Sequence, residues 1–176
     1  MPTLSVAERE AFLTEKRIIM RVGVTRADGS PLVTPVWFLY AEQAIYFTPR
    51  ERSEWFTCLR RDPRVALCID EQPLPYRKVL VDGKAELVHD LGSDGEWREL
   101  YQQMAERYVP QADAVSYVQN TIAEPRALFR VRLMDARVRS WRLPVAGEDG
   151  TGIWHKRYYQ DPDIQFAGTL PGSASN

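Results

Sequence analysis

The sequence predicts a mainly β, β-rich α+β chain, folded as a small antiparallel barrel or sandwich with short helices on its flanks. Three observations carry this prediction. Strand-like runs recur at short intervals, separated by turn signals such as Asp28-Gly29. Helical periodicity is confined to a few short stretches. Strict βαβ alternation is missing, as is any Gly-x-Gly-x-x-Gly fingerprint, which argues against a dinucleotide-binding fold.

Ser5-Val-Ala-Glu8 has the spacing of a capping box and opens a helix through Thr14, anchored by Phe12 and Leu13. Ile18 to Val24 reads as a strand, and the Asp-Gly turn leads to a second strand from Leu32 to Tyr40. Pro35 lies inside that strand and cannot donate to a ladder, so the strand is an edge or is bulged there. A turn at 41–44 leads into Ile45-Tyr-Phe-Thr48. Ser53 is placed to N-cap a short helix carrying Trp55, Phe56, Cys58 and Leu59, and Asp62-Pro63 stops it.

Arg64 to Asp70 returns as a strand. Val79 to Val88 reads as one long strand, with Val79, Val81, Gly83, Ala85 and Leu87 on a common face. Trp97, Leu100, Tyr101, Met104 and Tyr108 then form a helical stripe that Pro110 ends. A weaker helix covers Ala114 to Ile122. Ala127 to Leu133 alternates as a strand, and after a kink near Met134-Asp135 another runs from Ala136 to Arg142. Residues 1–143 thus form one domain. Residues 144–176 are expected to be a partly flexible extension, ordered around Ile153 to Tyr159 and frayed from Gly168 onward.

Composition narrows the function classes. A net charge of −1 gives no global bias toward nucleic acid or anionic membrane, so an anion site must be a local cluster. No apolar run approaches the roughly 20 residues of a membrane span. The Met-Pro-Thr-Leu-Ser start lacks a signal-peptide pattern, and two cysteines make no disulfide framework, so a cytoplasmic location is expected. His89 and His155 are far apart, with no metal-ligand spacing. Cys58 and Cys68 fall on apolar stretches and read as packing residues.

What remains is a cationic junction between strand and helix. Arg50 and Arg52, flanked by the hydroxyls of Thr48 and Ser53, precede a helix start, where free N–H groups and guanidiniums suit an anion. The competing reading is a solvated loop whose arginines balance Glu51 and Glu54. Val36, Trp37 and Phe38 offer a flat apolar wall, or else core, and Trp141 poses the same choice.

The ordered motifs Asp28-Gly-Ser-Pro31, Val33-Thr-Pro-Val-Trp-Phe38, Ile45-Tyr-Phe-Thr48, Arg60-Arg-Asp-Pro-Arg-Val-Ala66, Val81-Asp-Gly-Lys-Ala-Glu86 and Leu128-Phe-Arg-Val-Arg-Leu133 resemble the pyridoxamine 5'-phosphate oxidase-like family. That resemblance implies a six-stranded antiparallel split β-barrel binding FMN or the deazaflavin F420. It also implies a homodimer with two cofactor sites at the subunit interface, and hydride transfer to or from a small organic substrate. The ring would lie along Val36, Trp37 and Phe38, the phosphate at Thr48, Arg50, Arg52 and Ser53, and Trp141 would contribute more weakly. Trp55 stands where relatives often carry a phosphate-binding Lys, and Cys58-Leu59 replaces an Asn-Leu pair, so one cation of the pattern is missing. Lys16, Arg17 and Lys78 are candidate contacts for a longer anionic tail. The alternatives are a non-catalytic flavin carrier or sensor, and a haem-binding split barrel using His89 or His155.

Overall fold

The computed structural model describes residues 2–145 and residue 148 of this chain. The expectations for His155, Ile153 to Tyr159 and Gly168 onward therefore lie outside the described residues.

Helix α1 (Val6–Thr14) begins at the capping box: Glu8 N–H donates to Ser5 Oγ, and the Ser5 N–H donates to the Glu8 carboxylate. It buries Phe12 and Leu13. Strands β1 (Met20–Thr25) and β2 (Pro31–Val36) form a hairpin. Gly29 takes a φ of 85° in its turn, where a side chain would be strained, and Asp28 accepts from the Ser30 N–H. Strand β3 (Leu39–Ala41) pairs with β4 (Ala44–Phe47), and α2 (Glu54–Arg61) leads into β5 (Arg64–Asp70). Strands β6 (Lys78–Lys84) and β7 (Glu86–His89) precede the helices α3 (Arg98–Glu106) and α4 (Gln111–Asn120). Strands β8 (Leu128–Arg132) and β9 (Arg137–Trp141) complete the domain.

The strands make two antiparallel sheets, ordered β2-β1-β5-β6-β9 and β3-β4-β8-β7. The nine segments are six runs of chain, because three runs cross from one sheet to the other. The crossings fall at Trp37–Phe38, at Ala85, and at a 3-10 turn over Leu133–Asp135. Gly83 fits the second corner: a Cβ there would stand 3.0 Å from Val131 Cγ1 and 3.1 Å from Ala136 Cβ.

These corners correct the sequence reading in two places. Leu32 to Tyr40 is two strands, and so is Val79 to Val88. Leu87 consequently does not share the buried face of Val79 and Val81; it is exposed, while they are fully buried. A change of sheet resets which alternate residues point inward. Pro35 does lie on an edge strand, since among the described residues β2 pairs only with β1.

Between the sheets lies an apolar core that includes Met20, Val22, Phe38, Ile45, Phe47, Leu67, Ile69, Val79, Val81 and Val131. A second apolar layer sits under α3 and α4, built from Ala44, Tyr46, Trp97, Tyr101, Met104, Val118 and Leu128. Every residue of β4 is therefore buried: Ile45 and Phe47 face the central core, while Ala44 and Tyr46 face the helix pair. Arg107, just past α3, is 7% exposed and donates to the Leu13 and Glu15 carbonyls, both at 2.8 Å. It ties the end of α1 to the helix pair.

Candidate cofactor site

The turn after β4 is held by a short antiparallel contact with the residues entering β8. Arg50 and Arg126 form a β-bridge; the Glu51 N–H donates to the Pro125 carbonyl at 2.9 Å, and the Ala127 N–H to the Pro49 carbonyl at 3.2 Å. This pairing brings the Thr48–Ser53 junction beside Arg126 and under the helix pair. A cleft of about 200 Å³ results, lined by Val36, Trp37, Thr48, Arg50, Ser53 and Trp55, with Tyr101, Tyr117 and Arg126. A second hollow of about 340 Å³ shares Arg50 and is otherwise lined by Glu51, Arg52, Ala123, Glu124 and Pro125.

Trp37 sits at the first corner. Its ring stacks on Tyr108, with centroids 5.1 Å apart and planes 4° from parallel, and meets Tyr117 at 5.2 Å. These contacts hold the indole as a fixed wall. Arg50 donates to the Tyr117 hydroxyl at 3.1 Å and pairs with Glu124 at 2.8 Å. Arg126 is 5% exposed, lies over the Tyr101 ring at 4.6 Å, and reaches the Tyr117 hydroxyl at 3.5 Å.

Tyr117 thus stands between two guanidiniums. Burial alone would push its phenol upward. Hydrogen bonds from Tyr101 and Arg50, with the charge of Arg126, bring it below the ordinary phenol value. Tyr101 moves the other way, pushed up first by burial and then by its bond to Tyr117. The arrangement favours negative charge in the cleft.

Of the residues singled out from the sequence, Val36, Trp37, Thr48, Arg50 and Ser53 line this one cleft. Arg52 lines only the second hollow. The Phe38 side chain does not line the cleft: it is fully buried in the core, with the Arg107 guanidinium 4.5 Å above the ring. The corner turns Trp37 outward and Phe38 inward. Trp141 stands apart from the cleft within one chain. It lies on β9, at the opposite edge of the five-stranded sheet from β2, beneath the Lys78 ammonium at 5.5 Å, and does not line the cleft of its own chain. Ser53 occupies the N-cap position of α2, but its hydroxyl donates to the Arg50 carbonyl at 2.7 Å and caps nothing.

Lys16, Arg17 and Lys78 also lie outside the cleft lining. His89 pairs with Glu96 at 3.4 Å and does not line the cleft either. Among the described residues no group of three or more His, Cys, Asp or Glu could hold a metal ion. Sequence reading missed Tyr101, Tyr117 and Arg126. The available signal was slight: an arginine directly after a proline at the mouth of an apolar strand, and tyrosines on helical stripes that read as core.

Two sheets joined at three corners, with a cationic turn closing one end, define a β-rich split-barrel fold. The sequence profile of the pyridoxamine 5'-phosphate oxidase family matches residues 6–140, and the chain belongs to that family. No curated protein matches by sequence. Among solved structures, a conserved hypothetical protein from Mycobacterium tuberculosis is similar at 24% identity and a TM-score of 0.63, covering 84% of this chain and 94% of its own. A FAD-binding protein from Mesorhizobium loti matches at 23% identity and a TM-score of 0.55, covering 79% and 95%. An F420 reductase matches at 24% identity and a TM-score of 0.52, covering 71% and 93%. Haem-binding proteins are among the further structural matches. At these identities the likeness is one of fold.

Proposed function

We propose that this protein is an oxidoreductase that uses FMN, or alternatively F420, to move a hydride to or from a small organic substrate. The observation that carries the reading is the convergence, in one cleft, of a fixed aromatic wall at Trp37, the hydroxyls of Thr48 and Ser53, and the guanidiniums of Arg50 and Arg126. A flavin or deazaflavin needs a flat apolar contact for its ring and a cationic, hydrogen-bonding end for its phosphate. The residues present fit both needs. The cofactor, when bound, supplies the hydride chemistry. The chain supplies position: Val36 and Trp37 orient the ring, and Thr48, Arg50, Ser53 and Arg126 hold the anionic end. Arg52, in the second hollow, is placed for an extended tail.

Assembly belongs to the same reading. Val33 is 63% exposed on the edge strand β2 and Met134 is 78% exposed at the third corner, which suits a homodimer that covers them. In such a dimer a partner's later strands, with Trp141, would approach the cleft from outside. The free Cys58 and Cys68 suit a reducing, cytoplasmic setting. No described helix is long and apolar enough to cross a membrane.

Parallel fluorescence titrations with FMN and with F420 test the proposal. Binding of FMN followed by turnover with a reductant supports it, and tight F420 binding without FMN binding moves the assignment to the deazaflavin. Binding without turnover with any reductant would instead identify a carrier. Failure of both titrations overturns the cofactor assignment.

A further inference from the structure

Two guanidiniums, Arg50 and Arg126, line the cleft and meet at the Tyr117 hydroxyl. We propose that Arg126 is an anion-binding cation facing Arg50 across the cleft, and that Glu124 is an internal carboxylate that holds Arg50 until an anionic ligand takes its place. The proposal rests on the cofactor reading of the cleft, but it concerns the anion alone: a phosphate or phosphodiester group.

The first observation is the state of Arg126. The residue is 5% exposed and lines the cleft, and its Nε has no hydrogen-bond partner. The nearby Asp94 carboxylate accepts from the Arg126 backbone N–H at 2.9 Å and forms no ion pair with its guanidinium. Among the described residues no carboxylate forms an ion pair with the guanidinium, whose recorded contacts are two tyrosines, Tyr101 beneath it and the Tyr117 hydroxyl beside it. A buried cation without a counter-ion is costly, and such groups are retained where a ligand completes them.

The second observation concerns Arg50, the other guanidinium on Tyr117. Its partner Glu124 is 46% exposed and Arg50 itself 47% exposed, so their bond is weak and easily exchanged. Glu124 also lies two residues before Arg126, on the segment bridged to the Arg50 turn. A phosphate entering between Arg50 and Arg126 would gain both guanidiniums and displace one surface carboxylate. The Tyr117 hydroxyl, touching both arginines, keeps them aligned for a bidentate grip.

Calorimetric titration with inorganic pyrophosphate at fixed ionic strength tests this directly, followed by FMN and riboflavin on the same samples. Arg126→Met is expected to weaken pyrophosphate by at least about tenfold, with Arg126→Lys retaining part of the affinity. FMN should fall by a similar factor while riboflavin, which lacks the phosphate, is unaffected. Glu124→Gln should tighten pyrophosphate by about threefold, because the competing carboxylate is gone. Unaltered pyrophosphate affinity in Arg126→Met, or no pyrophosphate binding by the natural protein, overturns the inference. If Arg126→Met fails to fold, unchanged affinity in Glu124→Gln overturns it instead. Arg126-dependent pyrophosphate binding with neither FMN nor F420 bound would sustain the anion site while refuting the cofactor reading.

Discussion

At the scale of single residues, the site turns on which arginines face the cleft. Arg50 donates to Tyr117, pairs with Glu124 and lines both hollows; Arg52 lines one. Replacing Arg50 with Ala is expected to weaken a phosphate-bearing cofactor by about 1.5–3 kcal/mol, the range for a charge-assisted hydrogen bond. Arg52→Ala should cost less for FMN than for F420, whose longer tail reaches outward. Fluorescence titration of both variants with both cofactors checks this, and equal losses for FMN would contradict the assignment. Trp55 lines the cleft while its ring packs 6.0 Å from Phe47. Trp55→Lys should therefore tighten FMN and at the same time lose about 0.5–1.5 kcal/mol of folding stability through the missing aromatic contact. Denaturant unfolding beside a binding titration separates the two effects.

At the scale of elements, two joints hold the pieces that carry the site. Asp62 terminates α2 and chelates Arg64 at the start of β5, with contacts of 2.6 to 3.1 Å. Hydrogen bonds from the Arg64 side chain and N–H hold its carboxyl down at about 2, against an ordinary 3.8. Because the folded value is depressed, the unfolded chain binds the proton first on acidification. The contribution of Asp62 is complete above the ordinary value and disappears as pH falls through the folded one. Asp62→Asn should flatten the acid limb of the stability curve between those two values and leave its neutral-pH slope alone, measured by urea unfolding across pH. The second joint is Arg107. Removing it strands two carbonyls at the end of α1 and empties the space over Phe38. Arg107→Ala should cost about 2–4 kcal/mol. Calorimetric unfolding measures it, and a loss within error of zero would show that the joint is idle.

At the scale of the whole molecule, six runs of chain make two sheets by turning three corners, and the cleft opens beside the first of them. An edge strand with exposed Val33 is a surface that proteins normally cover. A two-fold symmetric dimer is expected, burying more than about 2,000 Å², as obligate dimers commonly do. Sedimentation at micromolar concentration should give twice the chain mass; a monomer would leave each cleft to function alone and remove any role for Trp141.

What the sequence by itself determined is local. The Ser5–Glu8 capping box, the Asp28-Gly29 turn, the alternation of Arg64 to Asp70 and the helical stripe of Leu100, Tyr101 and Met104, which stops short of Tyr108 because α3 ends at Glu106, each follow from neighbours a few residues apart. The first three stand as read. The cationic turn after Thr48 was legible for the same reason, as was the ordered set of motifs that resembles the family. Only the tertiary structure decided the rest. The corners at Trp37–Phe38 and Ala85 arise where a strand must leave one sheet for the other, and no alternation of residue types announces that. Trp37 faces the cleft and Phe38 the core because of such a corner. Arg126 reaches Arg50 through a β-bridge across a long stretch of chain. Pairing register between distant segments is set by packing of the whole sheet, so the second cation of the site could not be read from the residues around it.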